Sequence, residues 1–463
     1  MKYPDGPQTA PILQMLHWIA RPFSFMESCA QRYGDFFTAR LGNHFAPLIF
    51  VSNPQALQEI LSSDTKEFDA PGEMNGLFEP LLGKQSVIAA SGDRHRRQRQ
   101  LMMPPFHGER MRAYGQIISQ ITEDVISQWQ INQPFSARHS MQTISLRVIL
   151  SAVFGLAEGP RYQQLEALLG ELLDEMSSPL SASLLYFPIL RQDFGTWSPW
   201  GRVVSRKRQI DQLIYTEIQE RREHFDPSRT DILNLLLSAR DEAGEPMTDE
   251  ELHDELMTLL VAGHETTATA LTWALYWLHK LPEVRQKLLA ELDSVGEHPD
   301  PNAVAKLPYL NAVCCETLRI YPVGMLTFPR VVRVPLELNG YQLEPGTIVI
   351  GCIYLTHQRE DLYPEPRSFK PERFLERQYS AYEYLPFGAG SRRCIGMAFA
   401  QFEMKLALAK ILSSVELELA DQRPVKPIRR GLTAASTEVR LVVKAKRPQP
   451  AVTVAPSLEV SSL

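Results

Sequence analysis

Cysteine is scarce and irregular in this chain of 463 residues: five occur, Cys29, Cys314, Cys315, Cys352 and Cys394. That excludes a disulfide framework as the basis of the fold and fits a reducing compartment. No second Cys or His lies within ten residues of Cys394, so a closed zinc site, which wants four nitrogen or sulfur ligands, is not built around it locally. An excess of positive charge is also missing. With 48 basic and 54 acidic residues the net charge is -6, which leaves no electrostatic footprint for nucleic acid. A long apolar run at the N-terminus is missing too: Met1 to Ala20 holds prolines at 4, 7 and 11, and its apolar part falls short of the ~20 residues a span requires. The expectation is a soluble, cytoplasmic protein with no signal peptide or membrane anchor. At 44% hydrophobic the chain can bury a large core, and length alone suggests two or three domains.

The stretch Phe387-Gly388-Ala389-Gly390-Ser391-Arg392-Arg393-Cys394-Ile395-Gly396 runs into a helical pattern from Met397 to Leu412. Nearby cations and the positive end of a helix dipole favour the deprotonated sulfur of Cys394, and Gly390 and Gly396 let the backbone approach a flat ligand. One soft anionic ligand suits an iron porphyrin better than zinc. Because no CxxCH occurs, a haem would be held non-covalently.

This segment resembles the FxxGxRxCxG signature of the cytochrome P450 superfamily at every specified position. The resemblance implies that Cys394 is the axial ligand of heme b (iron protoporphyrin IX), that Arg392 meets a propionate, and that Phe387 packs beside the sulfur, with Gly396 next to it. It also implies a mainly α fold with a small β region, the cytochrome P450 fold, as one catalytic domain over 1–446. The remainder, 447–463, is rich in Pro, Val and Ser without a core pattern and is expected to be disordered.

Earlier in the chain, a short helix over Phe25 to Tyr33 precedes strands at Phe36 to Leu41 and Leu48 to Val51, with Gly42 and Asn43 as the turn, and Asn53 caps a helix from Pro54. Asp69 to Ala90 is apolar but broken by prolines and glycines, a loop with helical turns. In the family this region hangs over the substrate side of the haem, which makes Met74, Leu77 and Phe78 pocket candidates. His95 and Arg99, at i and i+4, share a helix face and match an HxxxR pattern that contacts a propionate. Arg94, Arg96 and Arg97 should point the other way. The pattern from Arg110 to Arg222 is helical, except that Ser178 to Trp200 is apolar and aromatic, expected to be an access lid for lipophilic ligands.

Thr248-Asp249-Glu250-Glu251 is a capping box, and no proline follows until Pro282. A helix of that length crosses a whole domain. At its centre stands Ala262-Gly263-His264-Glu265-Thr266-Thr267, where Thr266 is placed to bond back to the carbonyl of Ala262. This resembles the family's AGxET motif, which assigns Thr266 to hydrogen-bond dioxygen, Glu265 to relay protons and Ala262 to the haem face. Glu316 and Arg319, then Pro371-Glu372-Arg373-Phe374, match the family's structural triad of Glu316, Arg319 and Arg373. Val323 to Thr327, including Met325 and Thr327, should pass over the porphyrin, and Arg330 matches a propionate contact. Val331 to Leu338, Tyr341 to Leu343 and Thr347 to Tyr354 read as strands, with Asn339-Gly340 as a hairpin turn. Leu432 and Thr433 are candidates for a second substrate loop.

The resemblance covers about residues 25 to 445, with five motifs in family order. It implies a haem-thiolate monooxygenase that inserts one oxygen atom of dioxygen into a lipophilic substrate. A long-chain fatty acid is the first choice, as in soluble bacterial, cyanobacterial-type fatty-acid hydroxylases. Alternatives are a terpenoid hydroxylase, a peroxide-using or rearranging P450, and a non-enzymatic haem sensor. With no flavin or iron–sulfur module in the chain, the expected electron donor is a ferredoxin served by a separate reductase, docking on Arg94, Arg96, Arg97 and Arg393.

Overall fold

The layout follows from one helix, Asp249–Lys280, of 32 residues and therefore about 48 Å long. The computed structural model describes residues 3–447 apart from 42–45, 64–65, 107, 109, 156–158, 178–183, 185–186, 188–190, 297–298 and 432. The helix starts on both halves of the expected capping box: Glu251 N–H donates to Thr248 Oγ1 at 3.2 Å, and Thr248 N–H to Glu251 Oε2 at 2.9 Å. Three acidic residues in its first turn and His279 and Lys280 in its last complement the helix dipole. Leu281 and Pro282 end it.

This central helix is buried along most of its length, with Leu256, Leu260, Leu271, Trp273 and Leu278 fully inside. Each such side chain contributes roughly 1.5–3 kcal/mol relative to exposure. Around it pack the helices Ala137–Phe154, Met397–Ser414, Pro199–Glu223 and Pro308–Ile320. The closest approach is that of Ala137–Phe154. A Cβ added at Gly263 would lie 2.9 Å from Ile149 Cδ1, so the glycine is there to admit the neighbouring helix. Among the described residues no helix is long and apolar enough to cross a membrane.

The β region is small. Strands β1 (Phe36–Arg40), β2 (Pro47–Val51), β3 (Phe68–Asp69), β5 (Arg330–Val332) and β8 (Ile348–Gly351) form one sheet in the order β1-β2-β8-β5-β3, with only β2 and β8 parallel. Strands β6 (Leu336–Leu338) and β7 (Tyr341–Leu343) form a hairpin in which Asn339 and Gly340 take φ of 50° and 80°, as a type I′ turn requires. Strands β4 (Pro134–Ser136), β9 (Val415–Leu419) and β12 (Arg440–Lys446) make a third sheet, and β10 (Pro427–Arg430) pairs with β11 (Thr433–Ser436).

Most sequence expectations hold to within a residue or two, including Asn53, whose side chain accepts from Gln55 and Ala56 N–H. The segment 69–90 contains the expected helical turns, Gly72–Asn75 and Glu79–Leu82. Others differ. The first helices are Pro11–Ala20, which was not anticipated, and Pro22–Tyr33. Thr347 to Tyr354 is not one strand: β8 stops at Gly351 and Ile353–His357 is helical. The cause is tertiary, because the parallel partner β2 ends at Val51 and leaves no ladder to continue. The turn at Gly42 and Asn43 lies outside the described residues. So does the tail beyond Arg447, although Arg447 itself is tied down by its N–H to Ser414 O and its guanidinium to Asp293.

Candidate active site

The loop before Met397–Ser414 is built for close backbone approach. Gly388 and Gly390 take φ of 67° and 69°, in the left-handed region that side chains rarely enter. A 3-10 turn over Gly390–Arg392 follows, and the N–H of Cys394 closes the loop onto Phe387 O at 3.0 Å. Burial pushes the Cys394 thiol up, and the Gly396 N–H and the charges of Arg99 and Arg393 pull it back. The expected pull toward a thiolate is therefore present, but burial outweighs it. The side chain is nonetheless exposed, so this interior sulfur faces open space. A Cβ at Gly396 would meet no atom within 4 Å.

On the central helix one narrow face is accessible where its neighbours are not. Ala262 is exposed and Leu259, Gly263 and Thr266 are half-buried, while Leu260, His264, Glu265 and Thr267 are buried. Thr266 Oγ1 donates to Ala262 O at 2.6 Å, the expected back-bond. Its sequence neighbour turns elsewhere. Glu265 is gripped by the Ala137–Phe154 helix: Arg138 donates to Oε1 at 2.8 Å and Gln142 to Oε2 at 2.9 Å. The acid and the alcohol are thus adjacent in the chain but about 100° apart around the helix. Ser145 of the same helix donates to Gly263 O at 3.2 Å, and a ring nitrogen of His264 meets Gln142 O at 3.1 Å. Burial pushes the His264 imidazole down.

The candidate propionate contacts lie on separate elements. His95 and Arg99 occupy the helix Gly92–Met102, His95 buried and Arg99 donating to Arg393 O at 2.6 Å. Burial lowers the Arg99 pKa, and proximity to Cys394 opposes it, which places this arginine beside the sulfur loop. Arg330 is buried and donates to Phe328 O at 2.9 Å. Arg392 is buried and donates to Val87 O at 2.9 Å and Ala90 O at 2.6 Å, joining the cysteine loop to the 69–90 segment. Phe387 packs against the main core. Arg97 departs from its expected surface role, since it bonds Asp241, Glu251 and Pro246 O and turns inward.

The three charged residues expected to act as scaffold do meet. Glu316 Oε1 accepts from Arg319 Nη2 at 2.8 Å, Lys370 N–H at 2.8 Å and Arg373 Nε at 3.2 Å. Among the pocket candidates, Met74, Leu77 and Phe78 are half-buried, and the Phe78 ring meets Phe328 edge-on at 6.2 Å. Met325 is in the core, and the Thr327 hydroxyl is engaged with Phe328 O and Gly351 N–H. Thr433 bonds Arg430 O, and Leu432 lies outside the described residues. Of the expected lid, Phe187 packs against the core cluster of Met15 and Trp18, while Trp197 is exposed.

Arg138, Gln142 and Ser145 were not anticipated. Their spacing of four and three residues, which puts all three on one helix face, is the signal that could have found them. The donor set fits an iron porphyrin: one sulfur beside open space, buried arginines for carboxylates, and, among the described residues, no group of three His, Cys, Asp or Glu able to hold a bare metal ion.

Comparison with known proteins agrees. The family profile described as Cytochrome P450 matches residues 4–445. A protein of Mycobacterium tuberculosis, provisionally named cytochrome P450 135B1, is 35% identical over 449 residues, covering 96% of this chain and 92% of its own. A second from that organism, provisionally cytochrome P450 138, is 31% identical over 96% of this chain and 97% of its own. Among solved structures, retinoic acid-bound cyanobacterial CYP120A1 superposes with a TM-score of 0.82 at 23% identity, over 96% of this chain and 100% of that one. The cytochrome P450DA heme domain does so with 0.82 at 24%, over 96% and 98%.

Proposed function

The chain belongs to the cytochrome P450 family and is a P450 monooxygenase, and within that class we propose that it hydroxylates a long-chain fatty acid or a related lipophilic carboxylic acid. The observation that carries the reading is the apolar character of the candidate pocket, in which Met74, Leu77, Phe78 and Phe328 stand on the segments expected to cover the haem. The retinoic acid bound to the cyanobacterial structural neighbour is both a carboxylic acid and an isoprenoid, so it is compatible with this class and equally with a terpenoid. A terpenoid remains the second reading on the same ground.

In this proposal the whole of 1–446 is one catalytic domain working in the cytoplasm. Cys394 would hold heme b through its sulfur, with no covalent link from the chain to the porphyrin. Bound there, the thiolate-ligated iron porphyrin supplies the one-electron and dioxygen chemistry that no side chain can. His95, Arg99, Arg330 and Arg392 bind its carboxylates, Phe387 shields the sulfur, and Ala262 and Gly396 leave room on either side. The Thr266 hydroxyl, on the accessible face, accepts a proton at Oγ1 while donating its own onward. Glu265, held by Arg138 and Gln142 on another face of the helix, does not touch Thr266, so its proposed part in renewing that proton is as a relay that runs through solvent between the two. A ferredoxin-type donor approaches the exposed Arg94, Arg96 and Arg393, with Arg99 behind them.

The test is a titration of the haem-loaded protein with fatty acids and with terpenoids, following the absorbance change as substrate displaces water from the haem. Response to fatty acids alone supports the reading. Response to terpenoids alone replaces it.

A further inference from the structure

A second polar cluster lies outside this site, in the first half of the central helix. His253 is buried, and both of its ring nitrogens face carboxylates: Nδ1 is 2.9 Å from Asp254 Oδ1 and Nε2 is 3.0 Å from Asp211 Oδ1. A neutral imidazole has one N–H and one lone pair, so it can satisfy only one of these oxygens. The imidazolium satisfies both. The Tyr215 ring stacks on it at 4.4 Å and 5°, and Lys207 pairs with Asp211 at 2.8 Å, so two cations and two carboxylates balance inside one cluster.

The two carboxylates belong to different bodies. Asp211, Lys207 and Tyr215 are on the helix Pro199–Glu223. Asp254 reaches the other way, accepting Gln85 N–H at 2.8 Å and lying where a Cβ on Gly83 would come within 2.1 Å. Thr258 meets Ser86 Oγ at 2.7 Å. The helix Pro199–Glu223 is therefore fastened to the central helix through the imidazole ring, whereas the segment 83–86 is fastened directly to Asp254 and Thr258 of the central helix.

We propose that His253, as its imidazolium, is a latch that holds the Pro199–Glu223 helix onto the central helix, and that loss of its proton opens the latch. Deprotonation sends one proton to bulk water and leaves a lone pair facing a carboxylate in a buried setting, with one hydrogen bond lost and the cluster one charge more negative. Burial alone would push the ring down, but the hydrogen bonds and charges of Asp211 and Asp254 outweigh it and hold the ring above its usual range. The remaining charged groups around the cluster are acidic or distant from the ring: Glu250 and Asp249 act on Tyr215 from the central helix, buried Glu255 adjoins Asp254, and Arg94 reaches the carbonyl of Lys84. The latch stands independently of the substrate.

The experiment is hydrogen exchange of backbone amides in 83–88 and 199–223 of the haem-loaded protein, from neutral to alkaline pH and corrected for intrinsic rates, together with NMR titration of the His253 ring. In the parent chain, protection of 199–223 should fall roughly tenfold as the ring deprotonates, while that of 83–88, held directly by Asp254 and Thr258, should stay and serve as the internal reference. His253→Gln and Asp211→Asn should show low protection of 199–223 at every pH. A ring that is neutral at pH 7, or variants that keep parental protection, would overturn the latch.

Discussion

Glu316 and Arg319 stand one helical turn apart and meet wholly inside the protein: Arg319 Nε lies 2.6 Å from Glu316 Oε2, and neither side chain has any exposed surface. Arg319 goes on to His357 O and Pro366 O, both at 2.8 Å, and Tyr363 lies under its guanidinium at 5.0 Å. One carboxylate thereby fixes the meander that leads into the cysteine loop. Glu316→Gln should destabilise the chain by about 3–5 kcal/mol, because two buried guanidinium groups lose their counter-charge. Chemical unfolding measures this. Replacing Glu316, Arg319 and Arg373 together by apolar residues should cost less than the sum of the three single changes.

Thr266 offers a cleaner functional test, since its hydroxyl is satisfied by Ala262 O within its own helix and its loss leaves the packing almost intact. Thr266→Ala should bind haem and substrate like the parent, while product formed per electron consumed falls by about a hundredfold, the scale of a lost proton-transfer group. Thr266→Ser should recover most of it. Parental coupling in the alanine variant would remove Thr266 from the proposed proton path.

These features differ in how far the sequence foretold them. The central helix was legible because its start is a local pattern, Thr248 to Glu251, and its end is a proline. The scaffold residues and the cysteine loop were legible as spacings. Arg138 was not, because it meets Glu265 across 127 positions of chain from a helix buried on nearly all sides, which shows no amphipathic stripe. His253 was hidden likewise, since its second carboxylate comes from 42 residues away. The helix Ile353–His357 contradicts its β-branched and aromatic composition for a tertiary reason, the end of its partner strand.

The basic surface near Cys394 has become smaller and sharper. Arg97 is committed to Asp241 and Glu251, whereas Arg96 keeps 67% of its side chain exposed and pairs with Asp93, itself 92% exposed. Changing Arg94, Arg96 and Arg393 to Gln should slow reduction by a ferredoxin about tenfold at low ionic strength, with the difference shrinking as salt screens it. Arg97→Gln should instead lower stability and leave the salt dependence alone. Stopped-flow reduction at several salt concentrations separates the two, and equal behaviour of all four arginines would contradict this assignment.

Glu403 on the helix Met397–Ser414 makes the strongest prediction about pH. It is buried, among the described residues neither carboxyl oxygen is within good hydrogen-bond geometry of a partner, and burial pushes it from the usual 4.5 up to about 8, with nearby Ser145 pulling the other way. Between those two values the folded chain keeps a proton that the unfolded chain has released, so stability must fall as pH rises through that window and level off above it. The total is on the order of a few kcal/mol, since each tenfold difference in proton affinity between the folded and unfolded chain is worth about 1.4 kcal/mol. Glu403→Gln keeps the shape and cannot titrate, so it should match the parent near pH 4.5 and exceed it at pH 8. At the acid end the opposite holds for His279 and His357, which burial pushes down to about 4 and about 3. They are neutral inside, so their contribution is lost as pH drops below the usual 6.5. Unfolding in denaturant from pH 4.5 to 9 tests the argument, and a glutamine variant with the parental slope would mean that Glu403 finds a compensating charge or water in solution.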